Sequence, residues 1–199
     1  MTEGNLKAQY IGHTDLPLTT NSINDLKAIS KNSPYPNVDA VFSSPLKRCS
    51  DSAKIMFPKN DIIVINELIE CDFGEFEGLT AKELENVPEF KEWLSGDMKA
   101  APVHGESNAH FLHRICEAFE KIVNGIISSG TNAVALVCHA GVMMAILACY
   151  GLPEASMADW QADPGYGYKL RLTPSLWMQT NKLEVVDLSP VSMEEMEEN

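Results

Sequence analysis

Short β-prone segments alternate with helix-forming ones along this chain, and that alternation restricts its fold more than any other feature. Val38–Phe42 reads as a short buried strand followed by Ser43-Ser44-Pro45, and the pattern beyond predicts a helix from Leu46 towards Met56 that stops before Pro58. Pro45 suits a first helical turn, and the serine before it suits an N-cap. Asp61–Ile65, with its β-branched centre, predicts a second strand. Residues 66–80 read as an acidic loop with glycines at 74 and 78, and Thr80–Glu85 and Glu89–Leu94 as short helices. Across 107–127, Phe111, Ile115, Phe119, Ile122, Val123 and Ile126 recur at helical spacing. Ala133–Val137 predicts a strand, and Gly141–Tyr150 an apolar helix closed by Gly151 and Pro153. Further strands are expected near Ala158–Gln161, Gly167–Leu172 and Leu183–Val186. Such alternation predicts an α/β fold of three layers, a largely parallel sheet flanked by helices. It is expected to form a single domain over residues 1–190, with an acidic tail at 191–199 that holds Glu194, Glu195, Glu197 and Glu198.

Charge and composition narrow the partners. The net charge of −13 repels nucleic acid and anionic membrane, so neither is expected to bind. No apolar run approaches the roughly 20 residues of a membrane span. Five scattered cysteines, an odd number, argue for reduced thiols and a cytoplasmic setting. An anion site in so acidic a chain has to be local, built from backbone N–H groups and few cations. The sequence contains only three arginines: Arg48, Arg114 and Arg171.

In parallel sheets ligands bind at the carboxyl ends of the strands. Two segments are expected there, Ser43–Arg48 and Cys138–Gly141. His139, at a strand end before a helix, can donate a hydrogen bond to an anion, or it can be a structural histidine bonded to a carbonyl. Arg48 can grip phosphate oxygens with its planar fork, or be a surface cation. Glu70 opens a cluster with Glu67, Asp72, Glu75 and Glu77. Crowded carboxyls raise one another's pKa, which suits a general acid; a solvated loop or a hard-metal site are the rival readings. Glu106 reads as a helix-start residue beside the N-cap Ser107. His110, His113 and Cys116 share a helix, but steps of three drift around it, which argues against a zinc site.

In order, Thr2 and Asn5, Tyr10-Ile11-Gly12, Asp15, Ser43-Ser44-Pro45-Leu46-Lys47-Arg48, Glu70-Cys71-Asp72-Phe73-Gly74 and Val137-Cys138-His139-Ala140-Gly141 resemble the histidine phosphatase (phosphoglycerate mutase-like) superfamily. The resemblance spans Thr2 to about Val186 and is similar to the phosphatase branch, alpha-ribazole phosphatases included. It implies a phosphoglycerate mutase-like fold and a phosphomonoester hydrolase that works through a phosphohistidine, with no metal and no organic cofactor. Its substrate is expected to be a phosphorylated small molecule. Arg48, His139 and Asn5 would hold the phosphoryl oxygens, with Thr2, Tyr10 and Gly12 in the surrounding phosphate loop. Glu70 would protonate the leaving oxygen. Ala140 stands where the family usually has glycine, which would crowd the turn if φ there were positive.

In that family a strand ending in Arg-His-Gly precedes the positions matched by Thr2 and Asn5. The resemblance therefore implies that the strand and the nucleophilic histidine lie just before Met1, so that this chain lacks the first strand and is catalytically impaired. A non-catalytic protein that binds a phospho-ligand, a truncated form of the enzyme, and a phosphoglycerate mutase are the alternatives. Loss of a central strand is expected to lower stability or to drive a homodimer by strand exchange.

Overall fold

The computed structural model describes residues 1–191, and the acidic tail from 192 onward lies outside the described residues. In chain order the elements are α1 (Glu3–Leu6), α2 (Thr20–Asn32), β1 (Ala40–Ser43), α3 (Lys47–Met56), β2 (Ile62–Val64), α4 (Ala81–Leu84), α5 (Pro88–Leu94) and α6 (Asn108–Ser129). They continue with β3 (Val134–Val137), α7 (Ala140–Tyr150), β4 (Gly151–Leu152), β5 (Gly167–Arg171), α8 (Pro174–Thr180) and β6 (Leu183–Ser189).

The strands form two three-stranded sheets, ordered β2-β1-β3 and β4-β6-β5. The first is wholly parallel, with Ser43 opposite Val64 on one side and Val137 on the other. In the second, β4 runs parallel to β6 and β5 runs antiparallel to it. Among the described residues β3 pairs with β1 alone and β5 with β6 alone, so each keeps one open edge. The carboxyl ends of β1 and β3 therefore lie side by side, and they lead into α3 and α7.

The α6 stripe behaves as its spacing predicts. Phe111, Ile115, Phe119, Ile122 and Val123 are all buried. They meet Val142 and Ile146 of α7 and Trp177 of α8 in the main core. The rings of Phe119 and Tyr150 lie 5.2 Å apart, and those of Tyr150 and Trp177 5.4 Å, at separations that favour aromatic pairs. Ser107 caps α6 by accepting the His110 N–H at 3.2 Å.

One local expectation differs from the structure, and two helices have no counterpart in the sequence reading. Ala158–Gln161 is not a strand, because Met157–Asp159 forms a short 3-10 turn. There Asp159 accepts the N–H and hydroxyl of Ser156 at 2.9 and 2.6 Å, closing a capping box that competes with extended backbone. Helix α2 was not expected, since its segment is rich in Asn, Ser and Thr and carries little apolar periodicity. Thr19 starts it by accepting the Ser22 N–H at 3.1 Å, and the helix packs against α3. Helix α8 likewise escapes the pattern; Pro174 opens it, after β5 has ended.

Candidate active site

Arg48 sits one residue into α3 and is only 8% exposed, an unusual fate for an arginine. Its Nε donates to His139 Nδ1 at 3.2 Å, Nη1 to the Thr14 carbonyl at 3.0 Å, and Nη2 to the carbonyls of Ile11 and Gly12 at 3.3 and 2.7 Å. Most of the fork is thus fastened to the protein, with a single Nη1 N–H left over. The Lys47 N–H at the start of α3 is capped from a distance, by Asp15 Oδ1 at 2.7 Å. Leu46, not a serine, occupies the N-cap position of α3. The Ser44 hydroxyl bonds His139 Nε2 at 2.7 Å and accepts the Leu46 N–H at 3.4 Å, one residue before the helix.

His139 lies two residues beyond the end of β3, at the N-cap of α7, and is 8% exposed. Since Arg48 can only donate, Nδ1 is the acceptor and Nε2 carries the proton towards Ser44. Burial, with help from the nearby Arg48 and Arg114 cations, lowers the His139 pKa to about 3, so the ring is neutral. The thiol of Cys49 lies 3.5 Å from His139 Nε2, and burial pushes that thiol up to about 12.

Glu70 is 7% exposed. Its Oε1 accepts the Cys71 N–H at 2.9 Å and its Oε2 the Gly141 N–H, at the start of α7, at 3.1 Å. Burial dominates and raises its pKa, although those two N–H groups pull the other way. Gly141 is needed here because a Cβ on it would stand 2.5 Å from Glu70 Oε1. Ala140 is accommodated without strain, for it is not among the residues with positive φ.

The structure brings Arg48, His139, Glu70 and the Gly12 backbone together at the ends of β1 and β3. Thr2 and Asn5 form a separate capping box at α1, where Asn5 Oδ1 accepts the Thr2 N–H at 3.0 Å and its hydroxyl at 2.9 Å. The Tyr10 ring packs edge-on against Phe73, Phe90 and Trp93 at 5.3, 5.5 and 5.9 Å. None of these three side chains hydrogen-bonds Arg48, His139 or Glu70.

Several neighbours had no assigned role. Arg114 donates to the carbonyls of Glu67, Ile69 and Glu70 at 2.7, 2.8 and 2.9 Å, and so anchors the loop that carries Glu70. Its own partner is Glu106, buried at 8% exposure and held by two contacts of 2.8 Å. Glu106 is thus the counterion of Arg114 rather than a simple helix-start residue, and it also takes His110 Nδ1 at 2.8 Å. His13 Nε2 donates to the Glu70 carbonyl at 3.1 Å. The scarcity of arginine was the one signal in the sequence that pointed to Arg114.

The neutrality of His139 has a measurable consequence. Between pH 3 and about 6.5 the unfolded chain binds a proton that the folded ring refuses, so stability rises with pH across that window and is lost on acidification. Glu70 acts in the opposite sense: its raised pKa keeps a proton on the folded form that the unfolded form gives up. Comparison with His139→Gln isolates the histidine. The wild type is expected to lose about 1.6 kcal/mol more than the variant between pH 6.5 and 5, read from urea midpoints. Parallel pH curves for the two proteins would refute a buried neutral histidine.

Comparison with known proteins adds an independent line. The profile of the histidine phosphatase superfamily (branch 1) matches residues 1–181. An adenosylcobalamin/alpha-ribazole phosphatase of Salmonella typhimurium is 26% identical over 170 residues, covering 82% of each chain. The crystal structure of an alpha-ribazole phosphatase from Shigella flexneri superposes with a TM-score of 0.77 over 96% of this chain and 94% of that one; at 23% identity it speaks to the fold alone. A phosphoglycerate mutase from Thermus thermophilus is 28% identical, with a TM-score of 0.62 over 83% of this chain and 85% of its own. The fold is therefore phosphoglycerate mutase-like. No helix among the described residues is long and apolar enough to cross a membrane.

Proposed function

The chain belongs to the histidine phosphatase superfamily, and from that membership we propose that it forms the phosphate-holding and proton-donating part of a phosphomonoester hydrolase acting on a phosphorylated small molecule. The observation that carries this reading is the meeting of a buried cation, a neutral histidine and a carboxyl of raised pKa at the ends of two parallel strands. Arg48 and His139 would take the phosphoryl oxygens, with the 3.2 Å contact between them giving way to the substrate. The amide of Asn5 would complete the set, with Thr2, Tyr10 and Gly12 shaping the loop around it. In the first step a histidine nitrogen attacks phosphorus, the P–N bond forms as the P–O bond breaks, and Glu70 gives its proton to the leaving oxygen. In the second, water attacks phosphorus, returns a proton to Glu70 and frees the histidine and inorganic phosphate.

On this reading none of the five histidines in this sequence is assigned as the attacking group. His139 is held by Arg48 and Ser44, His13 by the Glu70 carbonyl, and His110 by Glu106. His104 lies 3.8 Å from Glu75. A strand ending in the nucleophile would find partners at the open edges of β3 and β5. A second reading is a non-catalytic protein that binds a phospho-ligand through Arg48 and His139.

The test combines the in-frame codons upstream of Met1 with an assay. Protein extended by those codons is expected to hydrolyse an aryl phosphate and alpha-ribazole 5′-phosphate, without isomerising 3-phosphoglycerate, while residues 1–199 alone turn over neither ester. Glu70→Gln in the extended protein should lower kcat by about 100-fold or more. Upstream codons that encode no histidine, together with phosphate binding by the chain, would favour the non-catalytic reading. Isomerisation of 3-phosphoglycerate would make it a mutase.

A further inference from the structure

Glu77 is tied to the site by hydrogen bonds that no role yet accounts for. Its Oε1 accepts the Gly12 N–H at 2.8 Å and the Thr14 N–H at 2.9 Å. The same short loop presents the carbonyls of Ile11, Gly12 and Thr14 to Arg48. The peptide unit between Ile11 and Gly12 is therefore held at both ends, its N–H by an anion and its C=O by a cation, an arrangement in which each bond strengthens the other.

Backbone pairing sets the reach of this carboxylate. Gly78 donates to the Tyr10 carbonyl and Tyr10 to the Leu79 carbonyl, both at 2.8 Å, and Gln9 bridges Thr80 in antiparallel fashion. Segments 9–12 and 77–80 thus run as a short ribbon that aims Glu77 at the loop. The other carboxylate oxygen, Oε2, is buried with no partner among the described residues. Burying a half-satisfied carboxylate is a poor way to hold a loop if packing were its only task. Next to a site for an anion its charge is also unfavourable, which calls for a compensating function.

We propose that Glu77 is a positioning residue: it clamps the 11–14 loop so that the loop's carbonyls hold the Arg48 guanidinium in place for phosphate. This rests on the reading of Arg48 as a phosphate ligand. Charge and reach make opposite demands, which lets them be told apart. As a bare charge, Glu77 repels phosphate, and removing it would tighten binding. As a clamp, its loss releases the loop and weakens binding.

Titration of inorganic phosphate into wild type, Glu77→Gln and Glu77→Asp separates the two. Gln keeps the accepting oxygen and drops the charge, and is expected to bind within about threefold of wild type. Asp keeps the charge and is one methylene short, and is expected to bind about tenfold more weakly, with the Gly12 and Thr14 amides losing hydrogen-exchange protection. Unchanged affinity in Glu77→Asp, or binding by Glu77→Gln at least tenfold tighter than wild type, would overturn the proposal. If wild type itself binds no phosphate, the functional reading fails. The clamp then stands or falls on whether Glu77→Asp deprotects those amides and loosens the Arg48 Nε–H signal in NMR spectra.

Discussion

Replacing Arg48 by alanine is expected to weaken binding of inorganic phosphate by roughly 30-fold and to cost about 3 kcal/mol of stability. Both effects have one origin. The guanidinium is 8% exposed and serves three backbone carbonyls, of Ile11, Gly12 and Thr14, in addition to His139. Alanine leaves those acceptors unpaired in a protected site, at about 1 kcal/mol each. It also removes a cation held between Glu70, Glu77 and Asp15, whose charges favour it against the cost of burial. Lysine is expected to recover little, because a single ammonium cannot reach acceptors spread around a planar fork. Calorimetric titration with phosphate and urea unfolding measure the two quantities. Wild-type phosphate affinity in Arg48→Ala would remove this residue from the site, whatever the stability showed.

The second large effect is expected at Gly12. An added Cβ would lie 1.9 Å from the Cys71 carbonyl oxygen and 2.9 Å from the Phe73 ring. The first obstacle is backbone, adjacent to Glu70, and cannot rotate away. Gly12→Ala should therefore cost about 3 kcal/mol or more, a fall of roughly 10 °C in Tm for a chain of this size. It should also push the 11–14 loop off both Arg48 and Glu77, so phosphate binding falls with stability. Gly125→Ala is the matched control. Gly125 lies inside α6, and a Cβ there would meet nothing within 4 Å, so alanine should stabilise by about 0.5 to 1 kcal/mol. A Gly12→Ala protein that melts with wild type would mean that the loop does not pack on residues 71–73.

The groups that the sequence analysis singled out divide by the range of the interaction each depends on. Apolar spacing over a few turns is local, and it located α6 and its buried face, the strands β1, β2 and β3, and the helix that follows His139. Where hydrogen-bonding side chains compete with the backbone, the pattern misled or fell silent: Ser156 and Asp159 turned an expected strand into a 3-10 turn, and Thr19 began a helix in a polar stretch. The Ser44 N-cap is displaced because α3 starts at Lys47 with Leu46 at its N-cap, while the Ser44 hydroxyl serves the Leu46 N–H and His139, 95 positions away.

Arg48 and His139 were singled out because a motif and a topological rule placed each near a strand end, and Glu70 because it opens an acidic cluster in a motif. The roles of Arg114, Glu77 and His13 were not legible, since each acts on backbone contributed by a distant segment. Arg114 reaches the Glu70 carbonyl across 44 positions, and Glu77 the Gly12 amide across 65.

By itself, the sequence determined the family, the α/β class, and the residue types from which an anion site could be drawn, because periodicity and short motifs are local properties of the chain. Tertiary structure alone decided which arginines are buried, which carboxyls are paired and which proton His139 carries. Those outcomes depend on desolvation and on hydrogen bonds between segments tens of residues apart, and no local pattern encodes either.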